Sequence, residues 1–273
     1  MTHPTVDEKR KIFQNLHETG CFILPNSWDA GSAKILEQLG FKALATTSSG
    51  YAWACGKADG QLTREETLAH LRYMVQTTNL PINADFESGF SETAYGVTES
   101  VHLAIETGVS GISIEDSTGN PQKPLREISE SIERIRAARK AIDESKTNTI
   151  LIGRAENFFV GVPDLENTII RLKAYSEAGA DCLYAPGIKT REQITAVVNA
   201  VSPKPVNILI GWDSDLTVAE LADLGVRRIS VGGALARTAW DGFIKAASTL
   251  AETGNFHAFN NLVSGDNLNN RFK

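Results

Sequence analysis

The feature that most limits how this chain can fold is a repeat: short apolar runs alternate with longer amphipathic stretches along nearly all of its 273 residues. Eight pairs are read, with apolar runs at 21–24, 43–46, 82–84, 111–114, 149–153, 182–184, 206–209 and 228–231. Such runs suit strands buried on both faces, and an amphipathic helix after each one carries the chain back so that the next strand lies parallel. Helix boundaries agree with this count. Thr63 and Glu66 are spaced as a capping box, and Pro163 with Asp164 suits a first helical turn. In Leu39-Gly40, Thr107-Gly108, Ala178-Gly179 and Leu224-Gly225 a glycine ends a helix shortly before a strand. The expected fold is α/β, a (β/α)8 barrel of the TIM type. No low-complexity linker interrupts the repeat, so residues 1–273 read as a single barrel domain, with only tails at 1–8 and roughly 255–273 outside the pattern.

Composition narrows the partners. Net charge is −6, from 27 basic and 33 acidic residues, and no run of Lys or Arg forms the stripe that a phosphate backbone demands, so nucleic acid is not an expected partner. Cys21, Cys55 and Cys182 lie far apart with no CxxC or Cys/His spacing, which speaks against a zinc site or a disulfide framework. Residues 1–14 are polar and charged, and no window approaches the roughly 18 apolar residues of a membrane span. A cytoplasmic protein without a membrane partner is expected.

In a barrel of this kind chemistry sits at the C-terminal ends of the strands, so the residues directly after each apolar run are the informative ones. Asn26, Ser27 and Asp29 follow the first run; Thr47, Ser48, Ser49 and later Asp59 the second; Asp85 and Glu87 the third. Glu115 and Asp116 follow the fourth, Arg154, Glu156 and Asn157 the fifth, and Asn207 opens the polar end of the seventh. Asp59, Asp85, Glu87 and Glu115 would converge from neighbouring loops, and carboxylates so crowded repel one another unless a cation neutralises them. An all-oxygen donor set points to Mg2+, with Mn2+ as the alternative. Any one of these acids alone could be a helix cap or a solvated loop residue. None of His3, His17, His70, His102 and His257 lies at a strand end, which disfavours a soft-metal site or a serine-histidine pair.

Arg154 could pair with Glu156 or Glu115, and the same planar fork suits a substrate carboxylate or an oxyanion. Thr47-Ser48-Ser49-Gly50 offers hydroxyls and successive N–H groups to a carboxylate oxygen, or forms an ordinary Ser/Thr turn. Gly232-Gly233 is read as structural. Substrate binding is thus expected from Thr47, Ser48, Ser49, Asp59, Arg154 and Asn207, and metal binding from Asp59, Asp85, Glu87 and Glu115. Catalysis is expected from Arg154 and Glu115, with Tyr51, Lys123 and Glu156 as proton carriers.

These residues occur in strings that resemble the isocitrate lyase and phosphoenolpyruvate mutase superfamily. They are Thr47-Ser48-Ser49, Gly56-Lys57-Ala58-Asp59, Asn83-Ala84-Asp85-Phe86-Glu87-Ser88-Gly89-Phe90, Gly111-Ile112-Ser113-Ile114-Glu115-Asp116 and Gly153-Arg154-Ala155-Glu156. The resemblance spans nearly the whole chain. It implies that Asp85 binds Mg2+ directly or through water, helped by Asp59, Glu87 and Glu115, and that Thr47, Ser48 and Ser49 receive the substrate carboxylate. It further implies that Arg154 holds a 2-oxo acid or its enolate. A C-terminal helix, fitting segment 240–252, would be exchanged between the subunits of a dimer or tetramer.

The chain also departs from the family pattern. The lyase branch carries Lys-Lys-Cys-Gly-His or Lys-Arg-Cys-Gly-His after the fourth strand, whereas this chain reads Glu115-Asp116-Ser117-Thr118-Gly119-Asn120-Pro121-Gln122-Lys123-Pro124. Ser117 stands where the mutase branch has lysine, and Pro186 where lyases have Glu and mutases His. A divergent branch without the lyase cysteine loop is implied. The expected activity is a Mg2+-dependent carbon-carbon lyase or decarboxylase acting on a small 2-oxo or 2-hydroxy di- or tricarboxylic acid through a metal-stabilised enolate. A P–C bond mutase or hydrolase acting on phosphonopyruvate or phosphoenolpyruvate is one alternative, and a non-catalytic 2-oxo acid binding protein another. A Schiff-base aldolase is disfavoured, because Lys42 begins the second strand and Lys189 lies beyond the sixth.

Overall fold

The computed structural model describes residues 3–273. At its centre is one parallel sheet: β1 (Phe22–Leu24), β2 (Asn26–Ser27), β3 (Leu44–Thr46), β4 (Ile82–Asp85), β5 (Gly111–Glu115), β6 (Ile150–Arg154), β7 (Cys182–Tyr184), β8 (Val206–Leu209) and β9 (Arg228–Ser230). The hydrogen-bonded order is β1-β9-β8-β7-β6-β5-β4-β3-β2. Only Pro25 separates β1 from β2, so the chain itself joins the two ends of that order and the sheet closes into a barrel. Proline has no N–H to give to the ladder. The first barrel strand is therefore two pieces: β1, within the expected run 21–24, pairs with β9, and β2, beyond that run, pairs with β3, while the Pro25 carbonyl accepts from Ala45 N at 3.0 Å.

Helices α1 (Val6–Leu16), α2 (Ala30–Gln38), α3 (Ser48–Ala54), α4 (Arg64–Thr77), α5 (Ala94–Glu106), α6 (Ile128–Ser145), α7 (Leu165–Glu177), α8 (Arg191–Val201), α9 (Val218–Asp223) and α10 (Ala234–Thr253) surround or extend the sheet, and α11 (Gly265–Arg271) ends the chain. The expected αβ turns are present: Gly40, Gly108, Gly179 and Gly225 take φ of 88°, 92°, 109° and 88° just after their helices. Thr63 and Glu66 close their capping box, and Asp164 is the N-cap of α7 rather than part of its first turn.

Side chains alternate between the two faces of each strand. Leu44, Ala84, Ile112, Leu151, Leu183 and Ile208 face the helices and join the main core. Leu24, Ala45, Ile152, Cys182 and Leu209 belong to a second cluster inside the barrel, completed by Phe13. The sequence predicts a tail over 1–8, but Thr5 and Glu8 form a capping box that starts α1. Lys9 Nζ donates to the carbonyls of Val75 and Thr78 at 2.9 and 2.6 Å, and Arg10 to those of Val109 and Ile105 at 3.1 and 2.8 Å. Two buried cations thus satisfy carbonyls at the C-terminal ends of α4 and α5, where helices leave them unpaired. At the other end of the chain, α10 buries only Ala236. No helix among the described residues is long and apolar enough to cross a membrane.

Candidate active site

The C-terminal ends of the strands open into a cavity of about 440 Å³. One wall begins at the entry to α3, where Thr47 is the N-cap and accepts from Gly50 N at 3.3 Å. Close packing dictates the glycine: a Cβ there would stand 2.7 Å from Thr47 Cγ2 and 3.0 Å from Trp28 Cβ. The tight turn aims Ser48 N at Asp85 Oδ2, 3.0 Å away, and brings Ser48 Oγ to 3.3 Å from Asp59 Oδ1. Thr47 Oγ1 and Ser49 Oγ are 3.0 Å apart.

Arg154, the last residue of β6, crosses the mouth. Its Nη1 lies 3.1 Å from Asp85 Oδ1 and 3.3 Å from Glu115 Oε2, and its Nε pairs with Glu156. None of these contacts uses Nη2. The guanidinium also lies 5.2 Å from the centroid of the Tyr184 ring. Burial alone would lower its pKa, but the charges of Glu156 and Glu115 outweigh that and hold it well above the usual arginine value. Glu156 is set in place from behind: Asp116 Oδ1 accepts from its N–H at 2.8 Å, while Oδ2 accepts from Arg171 at 3.0 Å and Tyr175 at 2.6 Å.

The acids show the strain of crowding. Burial, then repulsion from Asp85 and Asp59, raises Glu87 to about 7. Burial and Asp85 raise Asp59 as well. Burial drives Glu115 well above the carboxylate range despite Arg154, and it raises Glu156 too. Glu87 adopts a left-handed backbone conformation at φ 47°, and its buried Oε1 has no hydrogen-bond partner. A buried acceptor without a partner, among carboxylates that resist ionisation, fits a site that could hold a hard cation. Among the described residues no three His, Cys, Asp or Glu side chains are gathered closely enough to enclose an ion alone. Water and substrate oxygens would have to complete the shell, which suits Mg2+.

Thr47, Ser48, Ser49, Asp59, Asp85 and Arg154 all line the cavity. Glu115 stands behind Arg154, and Glu87 beside it, its carbonyl accepting from Glu115 N at 3.0 Å. Glu87, Glu115 and Glu156 thus border the cavity without lining it, and three further expected residues stand away from the site. Asn207 is fully buried, donating to Ser230 Oγ and accepting from Arg228 Nε, because β8 continues to Leu209, which takes the place nearer the mouth. Lys123 is exposed, 3.7 Å from Glu127. Tyr51 stacks on His70 with centroids 3.7 Å apart, outside the lining.

Other lining residues carry no local sequence signal. Trp53, Phe159 and Trp212 form an aromatic rim, Trp212 with Lys189 Nζ 4.8 Å from its ring. Arg237 reaches in from α10 and donates to the Gly211 carbonyl at 2.6 Å. Tyr184 was open to inference, since it ends β7 on the inward face. Gly232 and Gly233, read as structural, also line the cavity; a Cβ on Gly233 would meet Ser49 Oγ at 2.9 Å.

Residues 13–251 match the family described as phosphoenolpyruvate phosphomutase. The solved structure of a lyase/mutase candidate from Burkholderia cenocepacia J2315 is 43% identical with a TM-score of 0.94, covering 98% of this chain and 97% of that one. Oxaloacetate decarboxylase of Paraburkholderia xenovorans is 28% identical over 202 residues, 71% of this chain and 66% of that protein. The 2-methylisocitrate lyase of Escherichia coli is 30% identical over 168 residues, 59% of this chain and 55% of that protein.

Proposed function

The chain belongs to the phosphoenolpyruvate mutase/isocitrate lyase superfamily, and from that premise we propose that it is a Mg2+-dependent carbon-carbon lyase or decarboxylase of small 2-oxo or 2-hydroxy polycarboxylic acids. What carries this proposal is the convergence of Asp85 and Arg154, 3.1 Å apart, beside the hydroxyl-rich entry to α3. Relatives named as an oxaloacetate decarboxylase and a 2-methylisocitrate lyase support the same bond type.

Asp85 would hold the ion, with Asp59, Glu87 and Glu115 helping through water, since no three of these acids gather around one point. When bound, Mg2+ supplies Lewis-acid polarisation of the substrate oxygens and neutralises the acidic cluster. Thr47, Ser48 and Ser49 offer hydroxyls to a carboxylate. Arg154 Nη2 is the donor left over for an oxygen on which negative charge develops. Glu156 fixes the plane of that guanidinium. The aromatic rim of Trp53, Phe159 and Trp212 keeps water away from the reacting carbon. Because Tyr51 and Lys123 stand apart from the cavity and Glu156 is committed to Arg154 Nε, Tyr184 takes the part of proton donor; burial pushes its phenol up to about 12, so it carries a proton at neutral pH.

The family description favours a second reading, P–C bond chemistry on phosphonopyruvate or phosphoenolpyruvate. We also assign the protein to a homo-oligomer, dimer or tetramer, built through the C-terminal arm. The function is tested by incubating the protein with oxaloacetate, isocitrate, 2-methylisocitrate, alkylmalates and phosphonopyruvate, with Mg2+ or with a chelator, and identifying products by NMR. Metal-dependent cleavage of a carbon-carbon bond is the expected result. Turnover of phosphonopyruvate alone would establish the second reading, and Mg2+-dependent binding without turnover would leave an oxo-acid binding protein.

A further inference from the structure

Arg228 is 2% exposed and yet lines the same cavity. It begins β9, whereas Asp85, Glu115 and Arg154 end their strands, so its guanidinium lies deep in the barrel rather than at the mouth. Its Nε donates to Asn207 Oδ1 at 2.8 Å, and its Nη1 lies 3.3 Å from Asn83 Oδ1 and 3.5 Å from His17 Nε2. None of these contacts uses Nη2. All three partners are neutral, His17 included, since burial and the charge of Arg228 lower its pKa to about 3. No Asp or Glu among the described residues pairs with Arg228. Arg10, Arg126 and Arg171, buried to a similar degree, each stand beside a carboxylate, and Arg134, which does not, gives its Nη2 to the backbone carbonyls of Ser88 and Ser91, a kind of partner Arg228 lacks.

Burial lowers the pKa of Arg228, but a guanidinium keeps its proton in a protein. A buried, permanently charged group without a counter-charge is costly, and an anion arriving from the cavity removes that cost. Ser230, two residues nearer the mouth on the same inward face, also lines the cavity; its Oγ accepts from Asn207 at 3.0 Å, and its hydroxyl neighbours the Tyr184 phenol. Arg154, Tyr184, Asn207 and Arg228 are successive pairing partners across β6 to β9. The two arginines thus stand three strands apart around one interior, with side chains converging toward the axis.

We propose that Arg228 and Ser230 form a second anion position, which receives the distal carboxylate of a dicarboxylic acid whose 2-oxo or 2-hydroxy end lies at Arg154 and the acidic cluster. This rests on the reading of the mouth given above and adds which residues receive the far carboxylate. The floor of the cavity carries the charge of Arg228, and a chain-matched monoacid brings no anion to it.

Calorimetric titration in Mg2+ tests this with two pairs of chain-matched ligands: malate against 2-hydroxybutanoate, and 2-oxoglutarate against 2-oxopentanoate. Oxalate serves as a probe of the mouth alone. The native protein should bind the diacid of at least one pair about tenfold or more tightly than its monoacid, the contribution of one charge-assisted hydrogen bond. Arg228→Gln should abolish that preference and leave oxalate affinity within about twofold, a change below the worth of any such bond. Asn207→Asp, nearly isosteric, places a built-in carboxylate against Arg228 Nε and should abolish the preference too, whether or not Arg228→Gln folds. Equal affinities within both pairs in the native protein overturn the inference. So does a preference that survives Asn207→Asp, or one lost in Arg237→Gln but not in Arg228→Gln. Failure of oxalate to bind the native protein overturns the mouth reading, and this inference with it.

Discussion

At Arg154 geometry outweighs charge. Contacts with Asp85, Glu115 and Glu156 occupy Nη1 and Nε and leave Nη2 over for substrate, an arrangement that depends on a planar fork. Arg154→Lys keeps the charge and loses the fork, so kcat/KM should fall by about a hundredfold or more while the circular dichroism spectrum is retained. A near-normal rate would reduce Arg154 to a brace between strands. Glu87 gives a prediction in pH. An ordinary glutamate titrates near 4.5, and in the folded chain Glu87 is raised to about 7, so the native state holds that proton more tightly than the unfolded chain does. Its contribution to metal-free stability is full below about 4.5 and is lost as pH rises through about 7, on the order of 3 kcal/mol. Urea denaturation at pH 5 and pH 8 measures the loss; Glu87→Gln should flatten it, and Mg2+ should restore stability at the higher pH. An identical slope in the variant would move the effect to Glu115 or Glu156. Asp85, Glu115 and Arg154 could be read from sequence because they end strands, and strand ends are where this fold puts its chemistry. Asn207, Tyr51 and Lys123 could not be placed that way: depth along a strand, the direction of a helical side chain and the path of a loop are set by tertiary neighbours.

Among the elements, the entry to α3 controls how closely the second strand's loop approaches both Asp85 and the neighbouring backbone. Gly50→Ala adds one methyl group where Thr47, Trp28 and Ala236 already stand within 3.1 Å. Overpacking of this kind typically costs about 1–3 kcal/mol. The variant should therefore melt several degrees lower, and its KM should rise through displacement of Ser48 and Ser49; an unchanged melting curve would mean the turn has room that the packing distances deny. The repeat of apolar runs and αβ glycines was legible because each signal is local to a few residues. The break at Pro25 was hidden, since a missing N–H interrupts a ladder only once the partner strand is known. Helix α1 was hidden for a different reason. It buries Lys9 and Arg10, residues that a hydrophobic pattern assigns to solvent, and these become buried only because α4 and α5 present unpaired carbonyls to them.

The molecule as a whole carries an apolar arm that its own barrel does not cover. Phe243 and Ile244 on α10, and Phe256, Leu262 and Val263 beyond it, are 62%, 56%, 67%, 65% and 55% exposed. Exposed apolar surface concentrated in one segment marks an association surface in soluble proteins, and a second copy of the chain offers the same residues in return. The arm begins at the cavity: Ala236 lies against Gly50, and Arg237 lines the site. Assembly through the arm would therefore hold the α10 end of the cavity wall as well as bury the arm. Size-exclusion chromatography with light scattering should give a dimer or tetramer. Phe243→Asp with Ile244→Asp should shift the mass toward the monomer, because each charge must be desolvated at the interface. The same variant should lose activity in proportion to dissociation, with the loss reversed at high protein concentration. A monomeric native protein at micromolar concentration would leave the arm without a partner copy, and a fully active monomeric variant would show that the cavity wall stands without assembly.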